Sequence, residues 1–323
     1  MDKDYKITNL RFIAIILVVL AHSIIIYRTD WELYNSIYKP NLLISLDYFI
    51  YLFHMPLFFS ISGYLYFLSN KKHDFKIFFT KKLKRLIIPY IIVGILWMMP
   101  IRYICNYSNY INHNIIYNIF INVLIGKDNG HLWYLPTLFL IFIIAFFMEK
   151  YIKNEQVKNV LVLLLSIFGY FIPSFIGLSF TNIIWFYLGK YILKTGQNNK
   201  IICNILLSLL SLVAYFYIFY TNMSLYGVED FILILLKYIF CFNFIKFLYA
   251  IVKNKNIKTI DLISNNSYGI YLFHSPLIYF TFCFLPNINP CVMIIINFLF
   301  FGIISFIISY LLGKSKLKFV IGG

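Results

Sequence analysis

Apolar runs long enough to cross a bilayer recur along the whole chain, and they constrain its fold more than any other feature of the sequence. A hydrocarbon core about 30 Å thick needs about 20 apolar residues per helix. Ten stretches are candidates, at approximately 10–27, 44–68, 86–105, 131–148, 159–176, 179–193, 201–220, 231–252, 267–285 and 291–313. The sixth is short for a full crossing, and a polar break at Pro173 and Ser174 joins it to the fifth. Only 12% of the 323 residues are charged, about half the roughly 25% of a soluble domain, so polar surface is too scarce to cover a water-soluble globule. The expected fold class is therefore an all-α polytopic membrane protein of about ten transmembrane helices. It forms a single membrane domain over 1–323, because the longest polar stretches, 106–130 and 68–84, are too short to build a soluble core.

A net charge of +16 raises nucleic acid as a partner, but the placement of the charge answers the question. With the amino terminus inside, the inner segments hold 21 Lys and Arg and the outer segments only four, Arg28, Lys39, Arg102 and Lys127. Such a bias orients membrane proteins, so both termini are expected in the cytoplasm and no nucleic-acid partner is expected. Residues 115–125 are expected to form a short helix on the outer interface. The first apolar run ends in Tyr27, Arg28, Thr29 and Asp30 without a small-residue cleavage site, which argues against a removed signal peptide. Cys105, Cys203, Cys241, Cys283 and Cys291 show no ligand spacing, so no metal and no permanently bound cofactor are expected.

Ionisable groups at membrane depth are costly and mark candidate sites. Arg11 and His22 share the first span. Eleven residues of helix separate them by about 16 Å along the axis and only about 20° in azimuth, so one face presents both. The competing reading makes Arg11 a snorkelling residue and His22 a hydrogen-bonded interior histidine. Asp47 and His54, seven residues apart, likewise share a face of the second span. Counted from the inner ends, His22 and His54 lie at one depth, which suggests a single site, and buried neutral imidazole suits a proton acceptor. His54, beside Met55 and Pro56, could instead repair a helix ladder broken by proline. The basic cluster Lys71, Lys72, Lys76, Lys81, Lys82, Lys84 and Arg85 reads either as a lipid-facing anchor or as a cradle for the phosphates of a nucleotide-bearing donor.

Five segments, taken in order, resemble the integral-membrane type 3 acyltransferase (acyltransferase 3) family, in particular its sugar O-acetyltransferase, fucose 4-O-acetylase-like branch. They are LRFIAIILVVLAHS at 10–23, with ten residues between Arg11 and His22, and FHMPLFFSISGYL at 53–65, with His54, Pro56, Phe58, Ser62, Gly63 and Tyr64. KKLKRLIIPY at 81–90, HLWYLPTLFL at 131–140 and SYGIYLFHSPLI at 267–278 complete the set. The resemblance implies transfer of an acyl group, usually acetyl, from acetyl-CoA or another acyl-CoA as co-substrate. The acceptor would be a hydroxyl of a cell-envelope glycan or lipid-linked sugar at a bacterial plasma membrane, and lipids would be the other partners. Many relatives carry a further esterase-like or racemase domain, and with neither here the membrane domain is expected to bind both substrates.

On that basis His22 is the candidate base or transient acyl carrier, and Arg11, Arg85 and Lys82 the candidates for holding the donor's phosphates. The distance from Arg11 to His22 matches an extended phosphopantetheine arm. His54 and Asp47 are the candidates for positioning the acceptor, with Trp133 and Tyr134 as an aromatic platform. His274 is expected as either a structural residue or a donor contact, and Lys237 as a snorkelling residue or a partner of Glu229 or Asp230. A proton-coupled transporter or flippase of a polysaccharide or lipid precursor is the competing functional class, and a non-catalytic scaffold the third.

Overall fold

A computed structural model describes residues 4–28, 30–31, 34–69, 74–195, 201–221 and 229–323. Asp4 opens the first helix by accepting hydrogen bonds from the backbone N–H groups of Lys6 and Ile7, an N-cap that sets the register of everything on α1 (Tyr5–Ile24). There follow α2 (Asn41–Leu68), α3 (Phe75–Ile104), the short α4 (Ile115–Leu124), α5 (Gly130–Tyr151), α6 (Glu155–Phe168), α7 (Ser174–Thr195), α8 (Ile201–Thr221), α9 (Glu229–Ile251), α10 (Lys258–Phe284) and α11 (Pro290–Lys314). No strand forms among the described residues, and eight helices are long and apolar enough to cross a membrane. The fold is all-α and polytopic. The three remaining helices are the short α4, α6 with 14 residues, and α10, whose 27 residues begin with the polar run from Lys258.

The short partner of the pair at Pro173 is α6 rather than α7, which has 22 residues. Sequence apolarity misleads here because Ser179, Thr181 and Asn182 interrupt the run in α7. Each returns its side-chain donor to a carbonyl of its own helix, Ser179 to Phe175 at 2.6 Å, Thr181 to Leu178 at 3.1 Å and Asn182 to Leu178 at 2.8 Å, so the helix passes through them. Similarly, α3 and α10 begin well before residues 86 and 267, because a helix satisfies its own backbone and can extend beyond the hydrocarbon on polar residues.

At the centre, α1 packs between α2 and α10. Opposite, α2 meets α7 at backbone contact: a Cβ on Gly63 would lie 1.9 Å from the Phe186 carbonyl oxygen, and one on Gly189 2.2 Å from that of Ser60. Only glycine permits this crossing, a common device where helices associate in lipid. Polar bonds join the far side, where Thr281 of α10 donates to Asn297 of α11 at 2.6 Å and Asn297 donates to the Ser23 carbonyl of α1 at 3.4 Å. Helices α8 and α11 lie at the periphery, with Leu206, Leu210, Val213, Leu299 and Ile303 exposed as a lipid-facing surface requires.

Candidate active site

Two cavities enter the bundle from opposite ends and share two lining residues, Met55 and Tyr271. The first, about 860 Å³, opens at the end that carries the start of α1 and α3, and Arg11, Lys81, Lys82 and Arg85 all line it. The second, about 470 Å³, is lined by His22, His54, His131, Tyr51, Trp133 and Arg102, among others. One face of α1 thus serves both cavities, Arg11 the first and His22 the second.

The first cavity gathers more cation than anion: Arg11, Lys81, Lys82, Arg85, Lys150 and Lys153 line it against the carboxylates of Asp74 and Glu149. Arg11, Lys82 and Arg85 form no ion pair among the described residues, and the Lys82 ammonium stands 3.4 Å from the centroid of the Phe142 ring. The carboxylate of Glu149 on the same wall is engaged by Lys158 at 2.8 Å and Lys190 at 2.7 Å. Unpaired cations facing a cavity suit an anionic ligand with several phosphates. Of the basic cluster, Lys81, Lys82 and Arg85 form part of the cavity wall, Lys76 and Lys84 do not line it, and Lys71 and Lys72 lie outside the described residues.

The second cavity holds a histidine chain whose proton positions follow from its partners. His274 Nδ1 lies 2.8 Å from the Ile270 carbonyl, and a carbonyl only accepts, so Nδ1 carries the proton and neutral Nε2 offers a lone pair. That Nε2 lies 2.8 Å from His22 Nδ1, which must then donate, leaving His22 Nε2 as a free base. The two ring planes lie 8° from parallel with centroids 4.9 Å apart, the edge-to-edge arrangement that an N–H···N bond between imidazoles requires. His274 is wholly buried and lines neither cavity, whereas His22 keeps partial exposure and lines the second. His131 closes a triangle, its ring 6.4 Å from that of His22 and 5.6 Å from that of His274.

Prolines set this geometry. Pro276 has no N–H for the carbonyl four residues earlier, Leu272, and His131 Nε2 donates to that carbonyl at 3.1 Å. Pro56 frees the Leu52 carbonyl in the same way, and the Cys241 thiol takes it at 3.0 Å. His54 therefore does not repair the broken ladder. Its Nδ1 donates to the Ile50 carbonyl at 2.8 Å, which leaves Nε2 as a lone pair. Tyr51 stands between the two predicted histidines, 4.9 Å from His54 and 6.3 Å from His22 by ring centroids.

Other predicted residues fall elsewhere. Trp133 lines the second cavity, but Tyr134 lines the first, where its hydroxyl is 3.2 Å from Ser62 Oγ. Asp47 is wholly buried and lines neither cavity; it pairs with Arg28 at 3.4 Å, whose guanidinium lies 4.9 Å from the centroid of the Tyr51 ring. Asp47 thus supports the wall from behind. Arg102, at 1% exposure, reaches the second cavity and pairs with Asp128 at 2.8 Å. Burial pushes the Asp128 carboxyl up, but the Arg102 charge and hydrogen bonds from Asn109 and Arg102 outweigh it and hold the group below the usual carboxylate range. His274 and His131 were the residues that sequence reasoning left without a catalytic place. The available signal was the repeated His-x-Pro, His54-Met55-Pro56 and His274-Ser275-Pro276.

The family model for the acyltransferase 3 acyltransferase domain matches residues 4–314, nearly the whole chain, and the protein belongs to that family. It is a multi-pass membrane acyltransferase. Comparison with curated proteins and with solved structures gives no match.

Proposed function

We propose that the protein transfers an acyl group, acetyl in the first instance, from acyl-CoA in the first cavity to a hydroxyl of a cell-envelope glycan or lipid-linked sugar in the second. In this reading the first cavity faces the cytoplasm of a bacterial plasma membrane with both termini, as the excess of Lys and Arg on that side supports. The observation that carries the proposal is that a cationic cavity and an imidazole-lined cavity abut, with Met55 and Tyr271 as wall residues of both. Arg11, Arg85 and Lys82 hold the phosphates, the pantetheine arm extends from the first cavity toward the second, and the thioester carbonyl comes to rest near His22.

His22 Nε2 then takes the proton of the acceptor hydroxyl as its oxygen bonds to the acyl carbon. The resulting imidazolium is held through Nδ1 by His274. When the tetrahedral intermediate collapses, the C–S bond breaks, the CoA thiolate leaves and takes the proton from Nε2, and His22 returns to its starting form. His54 Nε2 is placed to accept a hydrogen bond from a second hydroxyl of the acceptor, and Trp133 to stack on its ring.

The test uses purified protein in detergent with acetyl-CoA and membranes of the native host as acceptor. Acceptor-dependent release of CoA is expected, lost in His22→Ala and with raised donor KM in Arg11→Ala. Movement of glycan or lipid precursor across liposomes without any acyl donor, together with no CoA release, would establish the carrier instead.

A further inference from the structure

The second cavity contains a charge that acyl transfer to a neutral sugar does not use. Lys237 lines it from α9, eight residues into the helix and so about 12 Å from its start. No ion pair or hydrogen bond engages Lys237 among the described residues, and in particular none links it to Glu229 or Asp230. Of the other charged residues that line the cavity, Arg102 and Asp128 form a pair. Arg102 also faces the rings of Tyr107 and Tyr110, each 4.7 Å from its guanidinium carbon. Behind the wall, Arg28 bonds Asp30 at 2.8 Å and Asp47 at 3.4 Å. Among the described residues Lys237 is therefore the one charged group lining the cavity with no oppositely charged partner, beside imidazoles and aromatic rings.

An uncompensated ammonium at this depth is costly, and the cost is recovered when an anion enters the same space. We propose that the acceptor is anionic, carrying either a carboxylate on its sugar or a phosphate of its lipid carrier, and that this group seats on Lys237 while a hydroxyl of the same molecule reaches His22. Thr181 and Asn182 of α7 and Tyr238 of α9 line the same cavity and supply polar neighbours for the sugar. The inference rests on the acyl-transfer reading for the role of His22, but the anion site can be tested apart from turnover.

Binding to purified protein in detergent is measured for four probes in two pairs: a tetrasaccharide bearing glucuronate against a neutral glucose tetrasaccharide, and undecaprenyl phosphate against undecaprenol. An anionic probe is expected to bind wild type roughly 10- to 100-fold more tightly than its neutral counterpart, as a charge-assisted hydrogen bond implies. The carboxylate arm and the lipid-phosphate arm identify which source carries the anion. Lys237→Met is expected to abolish the preference, and Lys237→Arg to retain it, with acetyl-CoA binding unchanged in both. Equal binding of charged and neutral probes by wild type would overturn the proposal, and this result needs no variant to fold. A preference that survives in Lys237→Met would overturn it as well. Failure of wild type to release CoA from acetyl-CoA would count against the transferase reading alone.

Discussion

Replacing His274 by phenylalanine keeps a buried ring of similar size while removing the acceptor that fixes His22. In the native arrangement His274 Nε2 lies 2.8 Å from His22 Nδ1, and its own Nδ1 is committed to the Ile270 carbonyl. The bond grows stronger during the reaction, because His22 becomes an imidazolium as it takes the hydroxyl proton. A hydrogen bond to a charged group contributes about 1.5–3 kcal/mol, which corresponds to a loss in turnover of roughly 10- to 150-fold. The KM for acetyl-CoA should not change, since Arg11, Lys82 and Arg85 line the other cavity. The assay is CoA release from acetyl-CoA with host membranes, followed with a thiol-reactive dye. His274→Gln, whose side-chain carbonyl can accept the same bond, should recover part of the lost turnover, a rescue that general loss of packing would not give. Combining His274→Phe with His22→Ala should be no worse than His22→Ala alone, as expected for residues acting as one unit. Unchanged turnover in His274→Phe, or effects that multiply in the double variant, would refute the relay.

Arg11→Ala should raise the acetyl-CoA KM with a much smaller effect on turnover, whereas His22→Ala should lower turnover by about 10²–10⁴ with donor binding preserved, the range for a general base; isothermal titration with CoA separates the two. Pro276→Ala returns an N–H to the Leu272 carbonyl and competes with His131 Nε2 for it, so the protein should stay folded while acyl transfer falls; retention of full activity would show that the His131 orientation does not matter. Gly63→Ala places a methyl group 1.9 Å from the Phe186 carbonyl oxygen, and a cost of about 3 kcal/mol, at the upper end of overpacking, should appear as a clear fall in the melting temperature in detergent. Glu155, at the start of α6, has its carboxyl raised by burial but lowered more strongly by hydrogen bonds from Lys158, Lys194 and Lys190, which leave it at about 2. Its contribution is complete above the ordinary carboxylate range and is lost as pH falls toward 2, so Glu155→Gln should lower the melting temperature at pH 7 and make little difference near pH 2.

The residues that sequence placed correctly are those for which helix arithmetic alone suffices. Arg11 and His22 share one helix, and the count of 11 residues carried them to two cavities on a single face. His54 was matched to His22 by depth, and both line the second cavity. Apolarity that begins near 267 leaves His274 open between two roles, whereas the helix begins at Lys258 and brings its Nε2 within 2.8 Å of His22 Nδ1. For Asp47 the face was right but the environment was not legible, because Arg28 reaches it from the end of α1, a tertiary contact that no periodicity reports. His131 lies in the tight 3-10 turn Gly130–Trp133 that opens α5, where α-helix arithmetic does not apply, and the carbonyl released by Pro276 takes its Nε2–H.

The distribution of charge explains how acyl transfer can proceed at membrane depth. Permanent cations are costly far from water, and Arg11, Lys82 and Arg85 stand where one cavity opens. The groups of the second cavity and its wall are imidazoles whose partners fix which nitrogen donates: His54 and His274 bond to carbonyls of their own helices, His131 to a carbonyl that proline has set free. A neutral base needs no counter-ion at rest and becomes charged only while a proton is in transit, when His274 Nε2 is already in place to share it. A carboxylate at the position of His22 would require a permanent partner, as Asp47 requires Arg28. His22→Asp or His22→Glu should therefore fail to restore turnover, although either side chain offers a base, because an anion placed there would be drawn to Lys237 or Arg102 rather than left free for the hydroxyl.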